Sequence, residues 1–67
     1  MTDDELIAAA RAAAAAHGRE GLAEAAVLRR APEAAVLLSD PAYARGGGLL
    51  VVIAPATGTV IRVVPQL

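Results

Sequence analysis

The sequence predicts an α+β domain in which two N-terminal helices pack on a three-stranded antiparallel β-meander. The first half of the chain is rich in alanine and begins with a helix-capping pattern. The second half contains runs of β-branched and other large apolar residues on either side of a Pro-Ala-Thr-Gly turn. A chain of 67 residues has the length of a single small domain, covering residues 1–67.

The first helix has a clear beginning and end in the sequence. Thr2 and Glu5 have the spacing of a capping box, in which each side chain satisfies a free backbone N–H of the first turn. Alanines then continue the helix to His17. Gly18 can adopt the left-handed conformation that commonly ends a helix.

The middle of the chain is harder to interpret. A second helix is predicted over residues 22–30, where apolar residues follow helical spacing loosely. It is expected to end before Pro32, because the residue preceding a proline is disfavoured in the α region. Residues 33–39 are short, apolar and followed by Asp40-Pro41, which favours a buried strand. Pro32 and Glu33 would also suit the first turn of a helix. We favour the strand; the helical alternative gives three helices and a β-hairpin, a winged-helix arrangement.

The C-terminal hairpin is the clearest element. Residues 49–53 and 60–64 are rich in β-branched side chains, and Pro55 and Gly58 suit the first and last positions of the turn between them. An uninterrupted register pairs Ile53 with Val60. One face is then predicted to carry Leu50, Val52, Ile61 and Val63, and the other Leu49, Val51, Ile53, Val60, Arg62 and Val64.

Both predicted faces of the hairpin are largely apolar, whereas an antiparallel sheet with one solvated face usually alternates apolar and polar residues. Two thin alanine-rich helices can cover only one face. Below about 70–80 residues a domain often needs disulfides, a metal or oligomerisation for stability. The chain has no cysteine and a single histidine, so neither a metal nor another cofactor is expected. We therefore expect a protein partner, either a second copy (a homodimer or higher oligomer) or another protein.

Composition and charge exclude several classes of function. The net charge is -1 and there is no basic cluster beyond Arg29-Arg30, which makes nucleic-acid binding an unfavoured interpretation. No segment approaches the roughly 18 apolar residues of a membrane span. The chain starts with acidic residues rather than a positive leader, so a cytoplasmic location is expected. Abundant alanine and arginine without lysine indicate a high-GC bacterial or phage genome.

Three residues are candidates for a binding site: Tyr43, Arg45 and Arg62. Tyrosine and arginine are the residue types enriched at binding hot spots. Tyr43 is also the only aromatic residue, so it could equally pack over a small core. Arg62 interrupts an apolar strand, either as protection against edge-to-edge aggregation or as a contact for a carboxylate or an RNA phosphate.

No catalytic residue is predicted. His17 could act as a general base near neutral pH, but its position favours a cation at the C-terminal end of a helix. The glycines at 46–48 precede a strand and are not followed by the lysine of a phosphate-binding loop, so they are interpreted as a flexible connection.

The loop with Arg45 and its glycines, followed by Leu-Leu-Val-Val-Ile-Ala-Pro-Ala-Thr-Gly-Thr-Val-Ile-Arg-Val-Val-Pro, resembles the closing hairpin of small RelE/barnase-like toxin domains over residues 43–65. The resemblance implies two helices before an antiparallel sheet whose exposed face cleaves RNA, with Arg45 and Arg62 at basic positions on that face. This chain is short, is not basic and has no acid–base pair. The leading prediction is therefore a non-enzymatic interaction module, such as a regulator, an inhibitor or a toxin–antitoxin component, acting through a sheet face or edge. The RNA-cleaving toxin domain is the alternative.

Overall fold

A computed structural model describes residues 1–19, 22–40 and 48–66. Within them the chain forms one helix and then four strands: α1 (Asp3–Ala16), β1 (Glu24–Arg29), β2 (Ala34–Ser39), β3 (Leu49–Ala54) and β4 (Thr59–Pro65). The strands build one antiparallel sheet in the order β1-β2-β3-β4. The fold is α+β, but with one helix fewer and one strand more than predicted.

Both ends of α1 are as predicted. The Glu5 N–H donates to the Thr2 hydroxyl at 3.2 Å, and the Thr2 N–H donates to the Glu5 carboxylate at 2.8 Å, which completes the capping box. His17 is the C-cap, and Gly18 follows it with a φ of 72°. Three acidic residues in the first turn lie where the helix dipole favours negative charge.

The predicted second helix at 22–30 is wrong, because most of this segment is β1. Its side chains alternate: Ala25 and Val27 pack against the core, and Ala26 between them is exposed. Ala25 pairs with Leu38 of β2. Alanine, leucine, glutamate and arginine favour a helix, but pairing with a neighbouring strand overrides this weak local preference.

The strand interpretation of 33–39 is confirmed by β2, Ala34–Ser39. The winged-helix alternative is therefore wrong, since this segment lies inside the sheet between β1 and β3. In β2, Val36 and Leu38 are completely buried.

The core lies between α1 and one face of the sheet, which we call the covered face. On α1, the buried side chains are spaced four residues apart: Leu6, Ala10 and Ala14. The alanines let the helix approach the strands closely. Opposite them lie the buried side chains of the two central strands: Ala34, Val36, Leu38, Leu49, Val51 and Ile53.

Each edge strand contains a β-bulge. In β4, Val60 pairs with Ile53 as predicted, but the next pair is Arg62 with Val52, and Ile61 is the extra residue. The predicted uninterrupted register is therefore wrong beyond Val60. It would have placed the charge of Arg62 beside fully buried Val51, and a charged side chain is almost never buried unpaired. The bulge turns Arg62 to the other face of the sheet.

Two arginines connect α1 to the residues on either side of β1. Arg30 donates from Nε and Nη2 to both carboxylate oxygens of Asp3, at 2.8 and 2.7 Å. This hydrogen bond lowers the pKa of Asp3 and raises the pKa of Arg30. Near the other end of the helix, Arg11 donates from Nη1 to the Leu22 carbonyl oxygen at 2.6 Å. The start and end of the β1 segment are thus both held to the helix.

Among the described residues, no helix combines the length and the apolar character that crossing a membrane requires.

Candidate interaction surface

The second face of the sheet points away from α1, and we call it the open face. No helix or strand from residues 1–19, 22–40 or 48–66 lies over it. Successive side chains of a strand point to opposite faces. The residues between the core positions of β2 and β3, such as Leu37 and Leu50, therefore belong to the open face.

The centre of the open face is an apolar row that crosses all four strands. Its members are direct neighbours in the strand register: Ala26, Leu37, Leu50 and Val64. Leu37 and Leu50 are half-buried and Val64 is 38% exposed. These side chains form a continuous apolar strip on a face that the described part of the chain leaves uncovered.

An arginine row lies on one side of the apolar row: Arg29, Ala35, Val52 and Arg62. Its two arginines share one carboxylate, because Glu33 Oε1 is 3.9 Å from Arg29 Nη2 and 3.6 Å from Arg62 Nη2. Between them, Ala35 is only 6% exposed and Val52 only 3%. We infer that the long apolar stems of the arginines cover these two small side chains.

A polar row lies on the other side of the apolar row: Glu24, Ser39, Gly48 and Gln66. Glu24 pairs with Ser39, and the Gln66 N–H donates to the Gly48 carbonyl oxygen at 2.9 Å. A Cβ atom added to Gly48 would lie 3.7 Å from Ser39 Cβ but only 2.9 Å from the Leu38 carbonyl oxygen. Glycine is therefore required at this position, and the polar row has no side chain where it crosses β3.

The three predicted binding residues are not brought together by the described structure. Arg62 lies on the open face, although next to Val52 rather than beside Val51 as predicted. Tyr43 and Arg45 belong to residues 41–47, outside the described residues. His17 caps α1 on the covered side of the sheet and is not part of the open face.

The sequence reasoning missed Arg29 and Glu33 as members of the surface. Both depend on β1 being a strand, since only that pairing brings Arg29 next to Ala35. The sequence signal for β1 was the alternation of exposed and core-facing positions over residues 24–27. The signal is weak because alanine occurs on both buried and exposed faces.

Among the described residues, no group of three or more histidine, aspartate or glutamate side chains could hold a metal ion. The two guanidinium groups of the arginine row share the Glu33 carboxylate and are about half exposed to solvent. The arrangement offers an apolar strip between two bordering rows of different charge.

Comparisons of the chain with protein-family models, with curated protein sequences and with solved structures found no match. The resemblance of residues 43–65 to RelE/barnase-like domains therefore stays a prediction from the sequence. Any assignment of function depends on the geometry of the open face.

Proposed function

We propose that this chain is a small non-enzymatic protein-interaction module, and that its open face binds a second copy of the chain. The observation that carries the proposal is the uncovered apolar row. The solvated face of an antiparallel sheet normally carries polar side chains. On the open face, by contrast, Leu37, Leu50 and Val64 lie side by side. A contiguous exposed apolar strip with polar borders is typical of an interface.

The charges on the two borders favour a second copy as the partner. Arg29 and Arg62 lie on one side of the apolar row, and Glu24 lies on the other. A partner surface of a single sign would be repelled by one of the two borders. A second copy carries both signs and can match both borders at once.

The expected interface is small. Strand spacing and rise give a four-stranded face about 19 Å wide and about 20 Å long. Two such faces bury roughly 800 Å² in total, below the about 1,200 Å² at which standard specific interfaces begin, which predicts weak, reversible association rather than a permanent assembly. Oligomerisation is also a common way for so short a chain to gain stability.

RNA cleavage, which the resemblance to RelE/barnase-like domains implies, is the alternative function. It would use Arg45 and Arg62 to bind phosphates. Arg62, however, shares the Glu33 carboxylate with Arg29, which reduces the positive charge available on this face. The apolar row is better suited to another apolar surface than to an RNA backbone.

Two valines of β4 allow a matched test. Val64 is in the apolar row and 38% exposed, whereas Val60 is 36% exposed but pairs with Ile53 on the covered side. We expect the wild type to associate with rising concentration in sedimentation velocity, Val64→Glu to stay monomeric, and Val60→Glu to associate as the wild type does. Far-UV circular dichroism checks that both variants fold.

Two results would count against the proposal. A folded wild-type protein that stays monomeric throughout the concentration series would overturn it. Equal effects of Val64→Glu and Val60→Glu would show that the association does not use the open face.

A further inference from the structure

We infer that the two copies pack open face to open face around a two-fold axis that runs along the apolar row, so that Glu24 of each copy lies opposite Arg29 of the other. The inference rests on the proposed function and specifies its geometry. It predicts which side chains meet across the interface.

The spacing of the three rows on the open face supports this axis. Along β2 the arginine row passes through Ala35, the apolar row through Leu37 and the polar row through Ser39. Successive rows are therefore two residues, or roughly 7 Å, apart. The apolar row lies midway between the other two rows. A two-fold axis along it therefore places the arginine row of one copy over the polar row of the other, with each strand over the same strand of the partner.

This exchange pairs opposite charges on β1. Arg29 then lies over the partner's Glu24, and Glu24 lies over the partner's Arg29. The Arg29 guanidinium donates from Nε to the Glu33 carbonyl oxygen at 2.8 Å, but it has five N–H donors and its side chain is 50% exposed. In the described structure Glu24 has no ion pair of its own and is exposed to solvent.

The remaining strands are also compatible with the exchange. On β4, Arg62 lies over the partner's Gln66, which can accept a hydrogen bond from it. On β3, the partner's Gly48 lies opposite Val52 and the arginine stems that cover it, and Gly48 adds no side chain of its own to the contact. On the axis itself, Leu37 and Leu50 meet their own counterparts.

A two-fold axis parallel to the strands is the other way to stack two identical faces with their strands aligned. It would place each row over the same row of the partner, with β1 over β4. Arg29 would then lie over the partner's Arg62, a like-charge pair repeated by the symmetry. Juxtaposed like charges across an interface are unfavourable, so the axis along the apolar row is preferred.

Charge reversal at the two pairing positions tests the arrangement. Glu24→Arg alone places two arginines together at each contact, and Arg29→Glu alone places two glutamates together, so each variant should associate about tenfold or more weakly than the wild type. An equimolar mixture restores an Arg–Glu pair at both contacts and should form a one-to-one heterodimer. Sedimentation velocity with one variant labelled measures this. Arg30→Glu is the control, because Arg30 binds Asp3 instead, and it should associate normally.

Arg29→Glu places a second carboxylate near Glu33 and could prevent folding. In that case, cysteine crosslinking tests the same arrangement. The chain has no cysteine, so Glu24→Cys mixed with Arg29→Cys should be joined efficiently by a short bismaleimide. Either cysteine variant alone should give little covalent dimer, because like positions lie far apart in this arrangement.

The outcomes separate the geometry from the proposed function. If the wild type associates and Val64→Glu does not, but the mixtures show neither heterodimer nor preferential crosslinking, the two-fold arrangement is wrong and binding through the open face stands. If the wild type does not associate at all, both are wrong.

Discussion

The two faces of the same sheet achieve burial by different means. On the covered face, α1 buries six side chains of the central strands, including Val36, Val51 and Ile53. On the open face, Ala35 and Val52 are buried between the two arginines that share Glu33, and the apolar row stays partly exposed. Together with the proposed function, the difference predicts that the covered face stabilises the monomer and that the open face is buried on association.

The largest effect is expected from substituting two neighbouring leucines of β3, one on each face of the sheet. Leu49 is 2% exposed on the covered face, and Leu50 belongs to the open face. Leu49→Ala should reduce the free energy of unfolding by about 2–5 kcal/mol at every protein concentration, because it leaves a cavity in the core. Leu50→Ala should cost clearly less in dilute solution, where the proposed association is absent, and more as concentration rises.

Urea unfolding of both leucine variants at two protein concentrations measures the contrast. If Leu50→Ala costs as much as Leu49→Ala in dilute solution, the open face would be a second core of the monomer and the contrast between the two faces would be lost.

A smaller effect is expected at the start of the helix that covers the sheet. Thr2→Ala removes the hydroxyl that caps α1 and should cost about 1 kcal/mol. The loss should be independent of protein concentration, since the cap stabilises only the covered side. Thr2→Ser keeps the hydroxyl and is the control in the same unfolding experiment. A loss that grew with concentration would mean that the helix end takes part in association.

The smallest effect concerns acid pH. The hydrogen bond from Arg30 lowers the pKa of Asp3 below its value in the unfolded chain. This ion pair therefore stabilises the fold above the unfolded pKa, about 4, and the contribution is lost as pH falls through the folded pKa. Because both groups are exposed, the effect should be small.

Melting temperatures of the wild type and of Arg30→Gln at neutral and at strongly acidic pH measure this contribution. The two proteins should differ slightly at neutral pH and converge in acid. A difference that persisted in acid would show that Arg30 stabilises the fold by packing rather than by its charge.

The sequence predicts those elements whose signals are local. Thr2, Glu5 and Gly18 define the helix by capping chemistry, and Pro55 and Gly58 define the turn between β3 and β4. These residues act on their own backbone or on that of near neighbours. Their effect can therefore be deduced without knowledge of tertiary contacts.

The register of β4 and the strand β1 could not be deduced in this way. In Val-Ile-Arg-Val-Val the apolar residues are nearly continuous, so alternation does not specify which side chains face the core. The bulge at Ile61 is favoured by a tertiary requirement, the exclusion of Arg62 from the core. For the same reason Arg62 was predicted as a site residue on the wrong side of the sheet, and Glu33 was not predicted at all.

The two bulges also determine which changes in chain length the fold can absorb. Ile61 has no partner in the register, so a chain lacking it would retain every pair from Arg62 to Pro65, and only the local bend would be lost. Leu28 has the same position in β1. Loss of one residue within β2 or β3 would instead exchange the two faces of that strand and expose its core side chains. Single-residue deletions between relatives of this chain should therefore fall in its edge strands.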